Sequence, residues 1–320
     1  MRVSPWMRVA ISAVVVAIIL WRVPAQALFS ALENMDSQWL FPALATSLAS
    51  LAVRAFKWQR LLQAAGSRAN SRDITRSLFC GFALGVVTPG RMGEFGRCLF
   101  VPESERAPII PLNILDRVLD SWSVVTYAVA SLVISSHRPA GIFGAAIWLA
   151  VLPVILGLPR LLSAIGEASW WGEKYRAQFR AARPHLGAVR VAPFAAWAMV
   201  STSFDILTFF CLLRAFHPAT LATALATYPW IVMASGIPLS LGGLGLREGA
   251  AALLLAHYAI PAAVAADVAL FLFAFLSLLP GMMGCVMLLR ARREKFERTS
   301  PLKASGLRAN LPNRFRMSEE

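Results

Sequence analysis

Three charges and three glycines fall within Thr88-Pro89-Gly90-Arg91-Met92-Gly93-Glu94-Phe95-Gly96-Arg97, directly after the apolar run 78–87. A membrane helix would normally continue through such a stretch. Pro89 removes a helical hydrogen bond, and Gly90 and Gly93 loosen the backbone around it. Broken, charged backbone at membrane depth is tolerated only against protein or a water-filled cavity, so it marks a functional site. Arg91, Glu94 and Arg97 are spaced i, i+3 and i+6, one helical face, with Glu94 in reach of either arginine. A second stretch repeats the composition: Pro238-Leu239-Ser240-Leu241-Gly242-Gly243-Leu244-Gly245-Leu246-Arg247-Glu248. Glycine breaks expose backbone N–H groups at positive helix ends, and arginine adds bidentate, permanently charged donors. Together they suit phosphate.

Other charges lie in apolar surroundings. Asp116 and Asp120 are i, i+4 on one face, with Arg117 beside them, and Asp205 sits within the apolar run 191–213. For Asp116, Arg117 and Asp205, structural ion pairing and ligand contact are both open readings. Asp267 and the cluster Glu103, Glu105 and Arg106 read as interfacial. No Ser-His-Asp, G-x-S-x-G, H-E-x-x-H or P-loop pattern occurs, so no catalytic residue is assigned. Cys80, Cys98, Cys211 and Cys285 and the scattered histidines lack metal-ligand spacing; neither a metal nor a cofactor is expected. Gly81 and Gly85 form a G-x-x-x-G that predicts close helix packing.

The elements carrying these residues are membrane helices. Of 320 residues 58% are hydrophobic, mean hydropathy is +0.61 and only 15% are charged. The net charge of +14 reflects basic clusters between apolar runs, which points to membrane orientation and away from nucleic acid. Full spans are expected at about 7–23, 38–53, 111–135, 141–158, 191–213 and 264–289, with interrupted apolar segments at 77–101 and 219–260. Ala25-Gln26-Ala27 imitates a signal-peptidase site, but Arg22 and Pro24 crowd it, and a retained first helix is expected. The region 160–190, with Trp170, Trp171 and Tyr175, reads as interfacial helix. Residues 291–320 read as a basic disordered tail.

Basic residues set the sidedness. The segments 54–76 and 160–190 and the tail from Arg290 are rich in Lys and Arg, so they read as cytoplasmic loops, with both termini cytoplasmic in the cell membrane. Parity then requires 77–101 to enter and leave from the inside and 219–260 from the outside. The chain reads as pseudo-repeats 7–135 and 141–289 of opposite orientation within one domain, 1–290. Such inverted repeats form binding sites near the midplane from broken helices.

These motifs in this order resemble the lysylphosphatidylglycerol synthase transmembrane region, a flippase-like membrane domain family. The resemblance rests on Pro89-Gly90-Arg91-Met92-Gly93-Glu94 with Arg97, on Asp116-Arg117-x-x-Asp120, and on Gly242-Gly243-x-Gly245-x-Arg247-Glu248 after Pro238. Arg54-x-x-x-Trp58-x-x-Leu61-Leu62-x-x-x-Gly66 fits the family's second-helix exit. One departure is Asp116-Arg117, where members commonly have Glu-Arg. The resemblance implies movement of lipids between leaflets, including aminoacylated phosphatidylglycerol and, in relatives, isoprenoid lipids. After residue 290 a short basic tail is expected, not a soluble aminoacyl-transferase domain, so synthase activity is not carried over.

The expectation is an all-α polytopic membrane protein that translocates a lipid with a charged head group. Pro89, Gly90, Arg91, Gly93, Glu94, Arg97, Asp116, Arg117, Asp120, Asp205, Gly242, Gly243, Gly245, Arg247 and Glu248 would form the site. Its partners are membrane lipids, phospholipid or isoprenoid-type. Alternatives are an intramembrane transferase acting on a lipid-linked substrate, and a non-catalytic partner of a lipid-modifying enzyme.

Overall fold

The computed structural model describes residues 35–67, 69–88, 92–101, 109–134, 188–236 and 245–287, together with 173, 176, 177 and 180. The expected spans 7–23 and 141–158, almost all of the segment 160–190, and the tail 291–320 lie outside these residues. So do 89–91 and 237–244, the two expected break points.

The described residues are helical, without a strand. Helix α1 is Leu40–Ala64, α2 Ser71–Val87, α3 Ile109–Ile134, α4 Ala188–Phe216, α5 Leu221–Ser235, α6 Leu246–Ala256 and α7 Ala262–Phe273. A 3-10 helix, Met92–Phe100, lies between α2 and α3. Beyond α7 the chain forms a π-helical turn at Ala274–Leu278 and stays helical to Met287. Among the described residues, three stretches are long and apolar enough to cross a bilayer: Ser37–Ala64, Val191–Phe216 and Ala262–Met287. The protein is an all-α polytopic membrane protein. Helix α3 has 26 residues, about 39 Å at 1.5 Å per residue, and carries Asp116, Arg117 and Asp120 in its first half.

The expected loop at Arg54 is a correction. Helix α1 continues past Val53 to Ala64, and Arg54 and Lys57 are helical residues on its inner side. The helix stops where Gly66 adopts φ +82. There the Gly66 N–H donates to Gln63 O at 2.9 Å and Ser67 N–H to Leu62 O at 3.1 Å, a glycine-terminated helix end. Asn70 then caps α2 by accepting from the Arg72 N–H.

Two apolar cores result. One joins Trp58, Leu61 and Leu62 of α1 to Ile74 and Leu78 of α2 and Leu112, Leu115 and Leu119 of α3. The other joins Phe209 and Leu212 of α4 to Tyr228 and Ile231 of α5, Leu255 of α6, and Val268 and Leu272 of α7. Lipid tails are as apolar as leucine, so cohesion inside a bilayer leans on close backbone approach and interhelical hydrogen bonds. Both are present. Ser123 meets Thr202 at 2.6 Å and Tyr127 meets Ser203 at 2.5 Å between α3 and α4. Thr208 donates to Thr46 at 2.9 Å between α4 and α1, and Trp230 of α5 to Ser131 of α3 at 3.1 Å.

The chain doubles back after α2. Gly81 and Gly85 give the 3-10 helix room: a Cβ on Gly85 would sit 2.6 Å from Glu94 Cγ, and one on Gly81 3.1 Å from Arg97 Cβ. Gly93 lies against the Leu84 carbonyl, where a Cβ would approach to 2.2 Å. The close packing predicted for the G-x-x-x-G is therefore packing against the 3-10 helix that carries Glu94 and Arg97. On its other side α2 meets the end of the last helix, where a Cβ on Gly284 would come 2.1 Å from Phe79 O.

Candidate functional site

Between the two cores lies a cavity of about 550 Å³, and all seven helices border it. Its charged lining consists of Arg54 from α1, Arg117 and Asp120 from α3, Asp205 from α4 and Arg247 from α6. Ser47 and Ser50 of α1 and Ser277 of the π-turn are among its hydroxyl groups, and Phe82, Val124, Val232 and Leu272 are among its apolar groups. Arg54, Asp205 and Ser277 fall well inside the three long apolar stretches, which puts the cavity away from either helix end.

The charges form one connected network. Arg54 donates to Asp205 at 2.5 Å and to Asp120 at 3.4 Å. Lys57 contacts Asp116 at 2.9 Å and also Asp120. Arg97 donates to Asp116 at 2.8 Å and faces Glu94 at 3.5 Å. Arg117 closes the network, reaching Glu94 at 2.5 Å, Asp120 at 3.3 Å and Asp116 at 3.4 Å. Four cations thus face four carboxylates. A buried charge is costly unless paired, and each of these eight charges has an opposite one within 3.5 Å.

Helical spacing explains the geometry. Asp116 and Asp120 are one turn apart, so both reach Lys57, which enters from α1. A 3-10 helix has three residues per turn, so Glu94 and Arg97 stack directly above one another. The Arg97 guanidinium also lies 4.8 Å from the centre of the Trp58 ring, a cation–π contact. Trp58 is held in turn by donating to Ser77 at 3.0 Å, and Asn113 of α3 ties down the 3-10 helix by donating to Phe95 O at 3.3 Å.

The network has a deep half and an exposed half. Glu94 and Arg97 are fully enclosed, and Lys57 and Asp116 nearly so. Arg54, Arg117 and Asp120 keep 20%, 23% and 14% of their side-chain surface open, on the cavity side. Glu94, Arg97 and Asp116 therefore do not border the cavity; Glu94 and Asp116 grip Arg117, which does, and Arg97 holds those two carboxylates. Arg247 approaches from the second broken segment, its guanidinium 4.8 Å from the Phe273 ring centre and 3.5 Å from Glu248. Glu248 accepts the Gly245 N–H at 2.5 Å and so caps the start of α6. Gly245, at φ +87, holds a conformation that favours glycine. Gly93 donates its N–H to Thr88 at 2.6 Å. Pro89, Gly90, Arg91, Gly242 and Gly243 lie outside the described residues.

Two members of the network were absent from the expected site, Arg54 and Lys57. They read as the start of a basic cytoplasmic loop because the apolar run stops at Val53. The signal was nonetheless present: Ser47, Ser50, Leu51, Arg54, Lys57, Trp58, Leu61 and Leu62 recur with helical spacing. Among the described residues no group of three His, Cys, Asp or Glu is arranged to hold a metal ion.

A sequence profile of one protein family, described as the lysylphosphatidylglycerol synthase TM region, matches residues 6–286. No curated protein matches the chain.

Proposed function

The chain belongs to the lysylphosphatidylglycerol synthase TM region family, and on that premise we propose that it translocates a lipid with a charged head group between membrane leaflets. The observation that carries this reading is the cavity: about 550 Å³, bordered by all seven α-helices α1–α7 and lined by three arginines and two aspartates. That volume suits a polar head group, within the usual range of about 300–1,000 Å³ for ligand sites. Acyl chains would stay in the bilayer while the head crosses.

In this reading Arg54, Arg117 and Arg247 engage the phosphate. Glu94, Arg97, Asp116 and Lys57 act from behind, fixing Arg117 and Asp120 in place. Asp120 and Asp205 keep the empty cavity from carrying an unbalanced charge. The two interrupted segments, α2 with the 3-10 helix behind it and α5 with α6, are the elements that would move. In this reading the site forms where the repeats 7–135 and 141–289 meet, as in an inverted-repeat transporter. Membership of the family supports a role with membrane lipid and a place in the membrane; cytoplasmic termini and the cell membrane complete the proposal.

The test is reconstitution of the full chain in vesicles, following exposure of labelled lipid head groups at the outer surface. Arg247→Gln is expected to slow translocation about 10- to 100-fold, the worth of one charge-assisted hydrogen bond, while the unfolding temperature stays close to that of the parent. Equal rates in the parent, Arg247→Gln and Arg117→Gln proteins would sink the proposed site.

A further inference from the structure

We infer that the cavity opens sideways into the bilayer between α3 and α5, and that this portal holds the hydrocarbon tail of the lipid whose head group lies inside. The inference rests on the cavity being a lipid head-group site. Three features of its lining lead to it.

The first is where the lining reaches the outside. Ser47 of α1, Phe82 of α2, Asp205 of α4, Arg247 of α6 and Leu272 of α7 all border the cavity and are all buried. The exposed residues of the lining are Ser121 of α3 and Met233 and Gly236 of α5. Met233 keeps 41% of its surface open. The wall is thus closed at the back and open along one pair of helices.

The second is depth. Ser121 stands at the middle of α3, a helix of 26 residues. About 15 Å further along α3, Ser131 accepts from Trp230 of α5 at 3.1 Å, which clasps the two helices together. The lining residues of α3 all precede Ser131, and Val232, Met233, Ser235 and Gly236 follow Trp230, so the opening lies to one side of this clasp. The midpoint of a helix that crosses about 30 Å of hydrocarbon lies among lipid tails.

The third is chemistry. The cavity stripe of α3 reads Arg117, Asp120, Ser121, Val124 and Val125, charged at one end and apolar at the other, in the order of a lipid from head to tail. Val232 and Met233 face it from α5. The exposed lining residues carry no charge, and methionine adapts its shape to varied apolar partners. Pro229 removes a helical hydrogen bond just ahead of Val232 and Met233, so α5 is the edge able to yield to a tail.

The test is photocrosslinking of the full chain, with p-benzoylphenylalanine in place of Ser121 or of Met233. The vesicles contain phosphatidylethanolamine, phosphatidylglycerol and a polyisoprenyl phosphate. Val200, exposed on α4 and outside the cavity lining, is the control position for bulk lipid. Lipid adducts are expected at 121 and 233, and their mass identifies a glycerolipid or an isoprenoid source. Adding Arg247→Gln should lower the adducts at 121 and 233 about tenfold, the worth of one charge-assisted hydrogen bond to the head group, and leave those at 200 unchanged. Adducts with protein or water in place of lipid overturn the portal. So does a response to Arg247→Gln that is equal at all three positions. Melting temperatures show which variants fold, and either portal position alone carries the test. Failure of vesicle translocation with this pattern intact would remove the proposed function and leave the portal standing. Translocation without the pattern would do the reverse.

Discussion

Lys57 is a buried cation, placed between Asp116 and Asp120 by one turn of α3. Replacing it with methionine keeps the stem but removes the charge that both carboxylates share. The expected cost is about 3–5 kcal/mol, the usual loss when one partner of a buried ion pair is removed, read as a drop in unfolding temperature in detergent. Adding Asp116→Asn should recover part of that loss, because the two changes act on one contact and do not add. If the single and double variants melt together, Lys57 is not balancing Asp116. Arg54 and Lys57 are also where the sequence was hardest to read. A basic pair at the end of an apolar run resembles a loop entrance, because composition is averaged over all faces of a helix. Only the partners, supplied by α3 and α4 from distant parts of the chain, turn the pair inward. Asp116, Arg117, Asp120 and Asp205 were legible as isolated charges in apolar surroundings, although nothing in one dimension said which cation each would meet.

The hairpin of α2 and the 3-10 helix depends on what each glycine touches. Gly93→Ala would drive a methyl into the Leu84 carbonyl, and Gly284→Ala into the Phe79 carbonyl. Backbone cannot rotate away, so both should lower expression of folded protein sharply. Gly85→Ala meets the Glu94 side chain instead. It should fold better than those two yet perturb Arg117, which Glu94 holds. Gly249 has nothing within 4 Å, and Gly249→Ala in α6 should be neutral or stabilising by up to about 1 kcal/mol. Melting temperatures of the four variants check this ranking. If Gly93→Ala melts with the parent, the close approach is wrong. Helix existence was legible at this scale from the length of the apolar runs. The ends were less so: the run for α1 stopped at Val53, but the helix continues to Ala64, just before Gly66, the first residue able to reverse the backbone cheaply.

For the whole chain, the distribution of Lys and Arg predicts that the turn between α1 and α2 faces the cytoplasm and the turn between α4 and α5 faces outward. Arg72, in the first turn of α2, and Pro218, between α4 and α5, are exposed at those two ends. With the native cysteines replaced by alanine, Arg72→Cys should react with a membrane-impermeant thiol reagent only from the cytoplasmic side, and Pro218→Cys only from the other. Both reacting from one side would refute the parity from which the inverted repeat was read. The membrane class and family were legible from hydropathy and the ordered motifs. The cavity was not, because it exists only where seven helices meet.

The π-turn at Ala274–Leu278 places one surplus residue in the last helix. On one side of it Val268 and Leu272 face the second apolar core; on the other Gly281 and Gly284 face α2. Each residue advances a helix by about 100°, so the surplus sets the phase between these two contact faces. Removing one codon within the turn would let a plain α-helix form while swinging both glycines off α2. The gene should therefore tolerate substitutions there far better than a single in-frame deletion.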